Sequence, residues 1–68
     1  MLDGKNLAIE HLKKQYADAI ARADALHTLA AAQGNEVQAA EYRRSAGFEM
    51  DRARGYLKQA EILTKTDQ

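Results

Sequence analysis

Cysteine, proline and tryptophan are all missing from this sequence of 68 residues, and the absences remove several classes of structure. A chain without cysteine has no disulfide, no thiolate metal site and no cysteine nucleophile. A chain without proline has no ring that interrupts a helix. The two histidines, His11 and His27, are sixteen positions apart, which is not a ligand spacing. We therefore expect neither a metal nor a cofactor.

Long apolar runs and an excess of one charge are missing as well. No stretch approaches the ~20 apolar residues that span a bilayer, and no basic segment followed by an apolar run marks a signal peptide at the N-terminus. Residues 1–33 carry four basic and four acidic side chains, and residues 34–68 carry six of each. A neutral chain has no net field that attracts nucleic acid or an anionic membrane. These features predict a cytoplasmic protein without a membrane segment.

Motifs that carry catalysis are likewise missing. The sequence has no phosphate-binding loop, no HExxH pair and no serine elbow. Its one serine, Ser45, has no histidine near it in the sequence. We expect that the protein is not an enzyme.

What the sequence does contain is a high proportion of helix-forming residues. Fourteen of its thirty-one apolar residues are alanine, and a single Gln-Gly-Asn segment divides the chain into two periodic halves. We predict one all-α domain over residues 1–68, with helix 1 at about 3–32, a turn at 33–35 and helix 2 at about 36–64. Because the turn is so short, the two helices are expected to form an antiparallel hairpin.

The residues around the turn predict how the helices end and begin. Gly34 is expected to end helix 1 in the left-handed conformation that glycine adopts readily. Asn35 is expected to cap helix 2, with Gln38 as its reciprocal partner in a pair that resembles a capping box. Helix 1 is expected to start at Asp3 or at Asn6, since both residue types cap helices well.

Two isolated glycines are the weak points of helix 2. Gly47 and Gly55 each cost about 1 kcal/mol relative to alanine inside a helix. One continuous helix is the preferred interpretation. The alternative is a break near Gly47, with Asp51 capping a third, short helix.

Both halves place apolar residues at alternating steps of three and four, which is heptad spacing. In helix 1 this seam consists of Ile9, Leu12, Tyr16, Ala19, Ala23, Leu26 and Ala30, widened by Ile20. In helix 2 it consists of Ala39, Tyr42, Ala46, Glu49, Ala53, Tyr56, Ala60 and Leu63, widened by Met50 and Leu57. We predict that this seam is the core. Its alanines allow the helix axes to approach toward the short end of the ~8–10 Å range.

Glu49 is the one polar residue of the helix 2 seam. A buried carboxylate requires hydrogen bonds or a cation, and the expected partners are the tyrosine hydroxyls of the seam or Arg52 and Arg54. Polar residues at such positions fix register or partner choice, so a structural role is favoured over a catalytic one.

A second apolar stripe runs along helix 2, roughly opposite the seam at about 100° per residue. The candidate interface formed by this stripe and its flanks consists of Val37, Ala40, Arg44, Phe48, Asp51, Gly55 and Ile62. Phe48 is the only phenylalanine of the chain, and an arginine beside an aromatic anchor is typical of interface hot spots. The stripe is either a binding surface for a partner, with Gly55 allowing close approach, or part of a homodimer core. Exposed apolar residues without a role are the third interpretation.

The small size of the chain predicts self-association. A domain of this length buries a modest core, and small domains without disulfides or metals gain stability from a second copy. We expect a homodimer in the form of a four-helix bundle. The expected function is non-catalytic binding, as a small inhibitor or adaptor that covers a surface of a larger protein. The alternatives are a nucleic-acid-binding bundle that uses the arginines of helix 2, and a purely structural homo-oligomer.

Residues 34–46, which read GNEVQAAEYRRSA, resemble the middle of a tetratricopeptide repeat. The matching features are the Gly-Asn turn, a small residue five positions further on, the aromatic Tyr42 and the alanine after it. Leu26 and Ala30 fit the preceding helix of such a repeat. The chain has no proline after its second helix and no second repeat, so the resemblance implies shared hairpin packing.

In size and architecture the whole chain resembles two kinds of small helical protein. One is the repressor-of-primer protein, which dimerises into a four-helix bundle and binds a pair of RNAs. The other is the group of phage-encoded quorum-sensing anti-activators, which bind and disable a host protein. Both resemblances imply a dimeric or partner-bound helical hairpin, and neither assigns a site residue.

Overall fold

The computed structural model describes residues 4–65, which form two α-helices joined by a turn. Helix α1 spans Gly4–Ala32 and helix α2 spans Glu36–Lys65. The helices pack against each other as an antiparallel pair, which confirms the predicted all-α hairpin. The observed helices match the predicted ranges of 3–32 and 36–64 to within one residue where the two can be compared.

Asn35 caps α2 as the sequence predicts, but the Gln38 side chain does not return a hydrogen bond to the Asn35 N–H, so the prediction of a reciprocal pair is wrong. The Asn35 Oδ1 accepts hydrogen bonds from the backbone N–H groups of Val37 at 2.9 Å and Gln38 at 3.3 Å. The Ala39 N–H donates to the Asn35 carbonyl at 3.0 Å and closes the first full turn of the helix. These bonds satisfy donors that a helix N-terminus otherwise leaves free. Glu36, in the first turn, places a negative charge at the positive end of the helix dipole.

The C-terminus of α1 is closed differently from the prediction. Gly34 does not have a positive φ, so the prediction of a left-handed glycine at this helix end is wrong. Instead, the Gln33 N–H donates to the Ala30 carbonyl at 3.3 Å. This bond spans three residues and tightens the last turn, which is a second way to satisfy a carbonyl at a helix end.

The start of α1 lies at the edge of the described range. Asp3, one of the two predicted starting residues, lies outside the described residues. Asn6, the other, lies within α1, so its prediction as the start of the helix is wrong.

Helix α2 is continuous through both of its internal glycines. The alternative of a break near Gly47 is therefore wrong, and Asp51 does not cap a third helix. Asp51 Oδ1 accepts a hydrogen bond from Arg54 Nη1 at 3.4 Å on the helix surface. Ala46 and Ala53, which lie before and after Gly47, are buried against α1. The helix stays continuous because this packing outweighs the low helix propensity of glycine.

The core of the hairpin is made of alanine. Within the described residues the buried side chains are Ala19, Ala23, Ala30, Ala39, Ala46, Ala53 and Ala60. The four alanines of α2 are spaced at intervals of seven, so one alanine per two turns meets the facing helix. Small side chains at this seam let the two backbones approach closely.

Most of the larger residues predicted as core are only half-buried. This group consists of Ile9, Leu12, Tyr16, Ile20, Leu26, Tyr42, Met50, Tyr56 and Leu63. Leu57 is 43% exposed, so its prediction as a core residue is wrong. The physical reason is that a pair of helices encloses only the residues that point directly at the partner helix, and side chains to either side of that line face solvent.

The hairpin is a single layer of helices. Its principal extents are 53 × 18 × 10 Å, and its radius of gyration is 15.7 Å. A compact domain of this length has a radius of gyration of about 11 Å. With no second layer, both broad sides of the layer are open.

Candidate interaction surfaces

The buried alanines define the direction on each helix that points at the other helix. A residue one position further along the chain is rotated by about 100° from its predecessor. In an antiparallel pair, residues rotated in the same sense lie on the same broad side of the pair. The hairpin therefore has two broad faces, one on each side of the alanine seam, and an outer edge along each helix.

One broad face is aliphatic, and we define it by Ile9, Ile20, Met50 and Leu57. Ile20 directly follows the buried Ala19 in α1, and Met50 lies four positions after the buried Ala46 in α2, so both are rotated in the same sense from the buried alanines. Both residues are thus turned to the same side, and both are half-buried. Ile20 is the seventeenth of 29 residues in α1 and Met50 the fifteenth of 30 in α2, so this pair lies near the middle of the face.

An open groove lies on the aliphatic face at the end of the hairpin remote from the turn. Its volume is about 280 Å³. The residues that line it are Ile9, Lys13, Leu57, Ala60, Glu61, Thr64 and Lys65. Ile9 from α1 and Leu57 from α2 meet in this groove, which places the two helices' aliphatic residues on one face.

The other broad face is mixed, with apolar residues around a central ion pair. We define this mixed face by Leu12, Leu26, Leu29, Tyr42, Tyr56 and Leu63 together with Arg22 and Glu49. A shallow groove of about 240 Å³ on this side is lined by Leu12, Gln59, Ile62 and Leu63. The two broad faces therefore differ in chemistry, although both contain half-exposed apolar side chains.

Glu49 is paired with an arginine of the facing helix. Arg22 Nε donates to Glu49 Oε1 at 3.0 Å. The Glu49 side chain is 18% exposed and the Arg22 side chain is 48% exposed, so the pair sits partly in the seam and partly in water. The prediction that Arg52, Arg54 or the seam tyrosines partner Glu49 is wrong. Arg52 and Arg54 lie on the same helix as Glu49, whereas α1 approaches its carboxylate from across the seam.

The predicted stripe lies on the outer edge of α2, away from α1. We call Val37, Phe48 and Ile62 the outer stripe, and their exposed fractions are 71%, 61% and 52%. Its predicted neighbours, which are Ala40, Arg44, Asp51 and Gly55, are exposed as well. A Cβ added at Gly55 would meet nothing within 4 Å, so within one copy of the chain this glycine allows no close approach.

Two features of these surfaces escaped sequence reasoning. The sequence pattern does not predict Arg22 as the partner of Glu49, and it does not distinguish the aliphatic face from the core. The sequence does contain a signal for the aliphatic face. Ile20, Met50 and Leu57 each directly follow a residue of the predicted seam, so all three are rotated in the same sense from it. No signal pointed to Arg22, because the axial register of two helices is not encoded in either helix alone.

In residues 4–65, no group of three or more His, Cys, Asp or Glu side chains is placed to hold a metal ion. Neither described helix combines the length and apolar character that a bilayer crossing requires.

Together, the fold and its surfaces define the class of the protein as an all-α helical hairpin with open apolar faces. Comparison of the chain with protein-family models, with curated proteins and with solved structures finds no match. The resemblances drawn from the sequence stay predictions.

Proposed function

We propose that this chain is a non-catalytic protein-interaction module, a helical hairpin whose open apolar surfaces are covered by other polypeptides. The observation that carries the proposal is that all seven buried side chains of the described range are alanines. Burial stabilises a fold by about 0.8 kcal/mol per CH₂ group, so an alanine core contributes little. Covering the larger side chains would contribute far more.

The accessible surface supports the proposal. A compact monomer of 7.5 kDa exposes about 4,200 Å². This hairpin exposes 5195 Å², which is about 1,000 Å² more. A typical stable interface buries about 800 Å² on each partner. The surplus is thus the amount of surface that one protein–protein contact covers.

The outer stripe supplies the binding surface for a larger protein. Phe48 is 61% exposed on the same line of α2 as Val37 and Ile62, which lie eleven and fourteen positions away. An exposed aromatic side chain with an arginine beside it has the composition of an interface hot spot. In this mode the chain acts as a small inhibitor or adaptor that lays the edge of α2 on its target, with Phe48 as the anchor.

The charges beside the stripe indicate what the partner offers. Asp51 is engaged by Arg54 at 3.4 Å. Arg44 and Lys58 are exposed beside the stripe and form no ion pair with another described residue. A partner that fits this edge has an apolar pocket for Phe48 and carboxylates at the rim of that pocket. Such complementary rim charges give specificity and speed association.

The experiment is affinity capture with four versions of the immobilised full-length chain, namely the wild type, Phe48→Asp, Arg44→Glu and Leu7→Asp. Leu7 is the matched control because it is an exposed leucine, 54% accessible, on α1 rather than on the outer stripe. We expect one protein from a lysate of the organism that encodes this chain to be retained by the wild type and by Leu7→Asp. The same protein is expected to be lost with Phe48→Asp and with Arg44→Glu. Equal retention by all four versions would refute the role of the stripe.

Nucleic acid is the less suitable partner for these surfaces. The chain has no net charge, and two of its arginines, Arg22 and Arg54, are engaged by carboxylates. Binding to nucleic acid requires cations that neutralise phosphates and falls steeply with salt. A gel shift at low salt is therefore expected to show no complex.

A further inference from the structure

We infer that the aliphatic face is the surface on which a second copy of this chain docks, so that two hairpins stack into a four-helix bundle with Ile20 and Met50 at its centre. This inference rests on the proposed function, since it specifies one of the polypeptides that cover the hairpin. It also separates two surfaces, because stacking through a broad face leaves the outer stripe uncovered.

The position of Ile20 and Met50 suits a two-fold interface. A symmetric dimer brings the same patch of both copies together across its axis. Ile20 and Met50 lie near the midpoints of α1 and α2. They therefore meet the Ile20 and Met50 of the second copy whether the two turns lie at the same end of the bundle or at opposite ends. The centre of the interface is apolar in both arrangements.

The ion pair of the mixed face argues against stacking on that side. Arg22 and Glu49 are also near the middle of their helices, and the Arg22 side chain is 48% exposed. A two-fold contact through the mixed face would bury this pair beneath the same pair of the second copy. Removing both charges from water carries a large desolvation penalty. The aliphatic face has no such pair at its centre, where Ile20 and Met50 lie. Its charged residues stand to either side of that centre: Lys13, Glu61 and Lys65 line the groove remote from the turn, and Arg43 lies one heptad before Met50, nearer the turn.

The dimensions of the face match those of a stable dimer. The hairpin measures 53 × 18 Å across its broad side, a footprint of about 950 Å². Stable interfaces bury about 800 Å² on each partner. One broad face is therefore large enough to hold a second hairpin without any help from the outer stripe.

The first test compares the mass and helicity of three full-length versions by analytical ultracentrifugation and circular dichroism. These are the wild type, Ile20→Glu on the aliphatic face, and Leu29→Glu on the mixed face, where Leu29 is 44% exposed. We expect the wild type and Leu29→Glu to be dimers, and Ile20→Glu to raise the dissociation constant of the dimer by at least about tenfold because it places a carboxylate at the two-fold centre. A wild-type monomer, or a dimer that dissociates with Leu29→Glu and not with Ile20→Glu, overturns the inference.

A second test does not depend on the folding of Ile20→Glu. The chain has no cysteine of its own, so a single introduced cysteine shows whether that one position lies close to its counterpart in the second copy. Met50→Cys, treated with a short thiol-reactive crosslinker, is expected to give a covalent dimer, whereas Phe48→Cys on the outer edge is not. Equal crosslinking at both positions, or none at position 50, overturns the assignment of the face.

The outcomes separate this inference from the proposed function. A monomer that still loses its partner on Phe48→Asp would refute the stacking and keep the interaction module. A dimer through Ile20 and Met50 whose capture of partners does not depend on Phe48 would keep the stacking and refute the role of the outer stripe.

Discussion

Arg22 and Glu49 connect the two helices through an ion pair, with 3.0 Å between Nε and Oε1. Glu49 occupies a seam position whose counterparts one repeat away are Tyr42 and Tyr56. One helical turn is 5.4 Å, so sliding α2 by a turn along α1 would break this contact. We therefore expect the pair to favour the observed axial register of the two helices over registers in which Arg22 and Glu49 do not meet.

The first prediction concerns the strength of this ion pair. In a double-mutant cycle of Arg22→Ala and Glu49→Ala, we expect a coupling free energy of about 1 kcal/mol between the two side chains. This value is at the upper end of the range for solvent-exposed ion pairs. The measurement is urea unfolding at a fixed protein concentration. The matched control is the cycle of Asp51→Ala and Arg54→Ala, because that pair lies on one helix with both side chains at least 70% exposed; we expect about 0.3 kcal/mol there. A coupling for the first pair no larger than the control would contradict a register-setting role.

The second prediction concerns the alanine seam. Ala46 is fully buried, so Ala46→Leu is expected to push the helices apart and to destabilise the fold by about 1–3 kcal/mol. Ala40→Leu is the matched control in the same helix, because Ala40 is exposed; its effect is expected to stay within about 0.5 kcal/mol. Both are measured by urea unfolding. If the two variants are equally stable, close helix approach is not what the buried alanines provide.

The third prediction separates two glycines that are equivalent within one hairpin. A Cβ at Gly47 or at Gly55 would meet nothing within 4 Å, so each change to alanine is expected to raise stability by about 1 kcal/mol. Gly55 lies on the line of the outer stripe, and Gly55→Ala is therefore expected to weaken capture of the partner as well. Gly47→Ala should leave capture unchanged. If both variants capture the partner equally well, Gly55 is not needed for the partner to approach α2 closely.

The fourth prediction concerns the cap of α2. Asn35→Ala removes the acceptor of the hydrogen bonds from Val37 and Gln38 and is expected to lower stability by about 1 kcal/mol. Asn35→Asp keeps an acceptor at the same position and is expected to restore most of that loss. Thermal unfolding of the three versions checks the ranking. An alanine variant as stable as the aspartate variant would show that the cap contributes nothing.

The sequence predicted the fold well because the fold depends on local signals. Heptad spacing, the turn at 33–35 and the capping residue Asn35 each act within a few positions. The same local rules misjudged the end of α1, where Gly34 lacks a positive φ, because a tightened turn and a left-handed glycine both follow from a glycine after a helix.

The surfaces were predicted less completely because they depend on how two helices meet. The outer stripe follows from the periodicity of α2 alone, and Phe48 is exposed there as its position implies. Leu57 was assigned to the core because periodicity cannot distinguish a residue that points at the other helix from one beside it. Arg22 was missed because its contact with Glu49 spans 27 positions and depends on the register.

Thermal unfolding of the unmodified chain over about a thousandfold range of concentration tests most directly whether another polypeptide completes this hairpin. If two copies stack, the unfolding midpoint rises with concentration, and the folded species has twice the chain mass of 7.5 kDa, which is 15 kDa. A cooperative transition at one temperature across the whole range, from a folded species of 7.5 kDa, would show that the alanine seam alone sustains the fold.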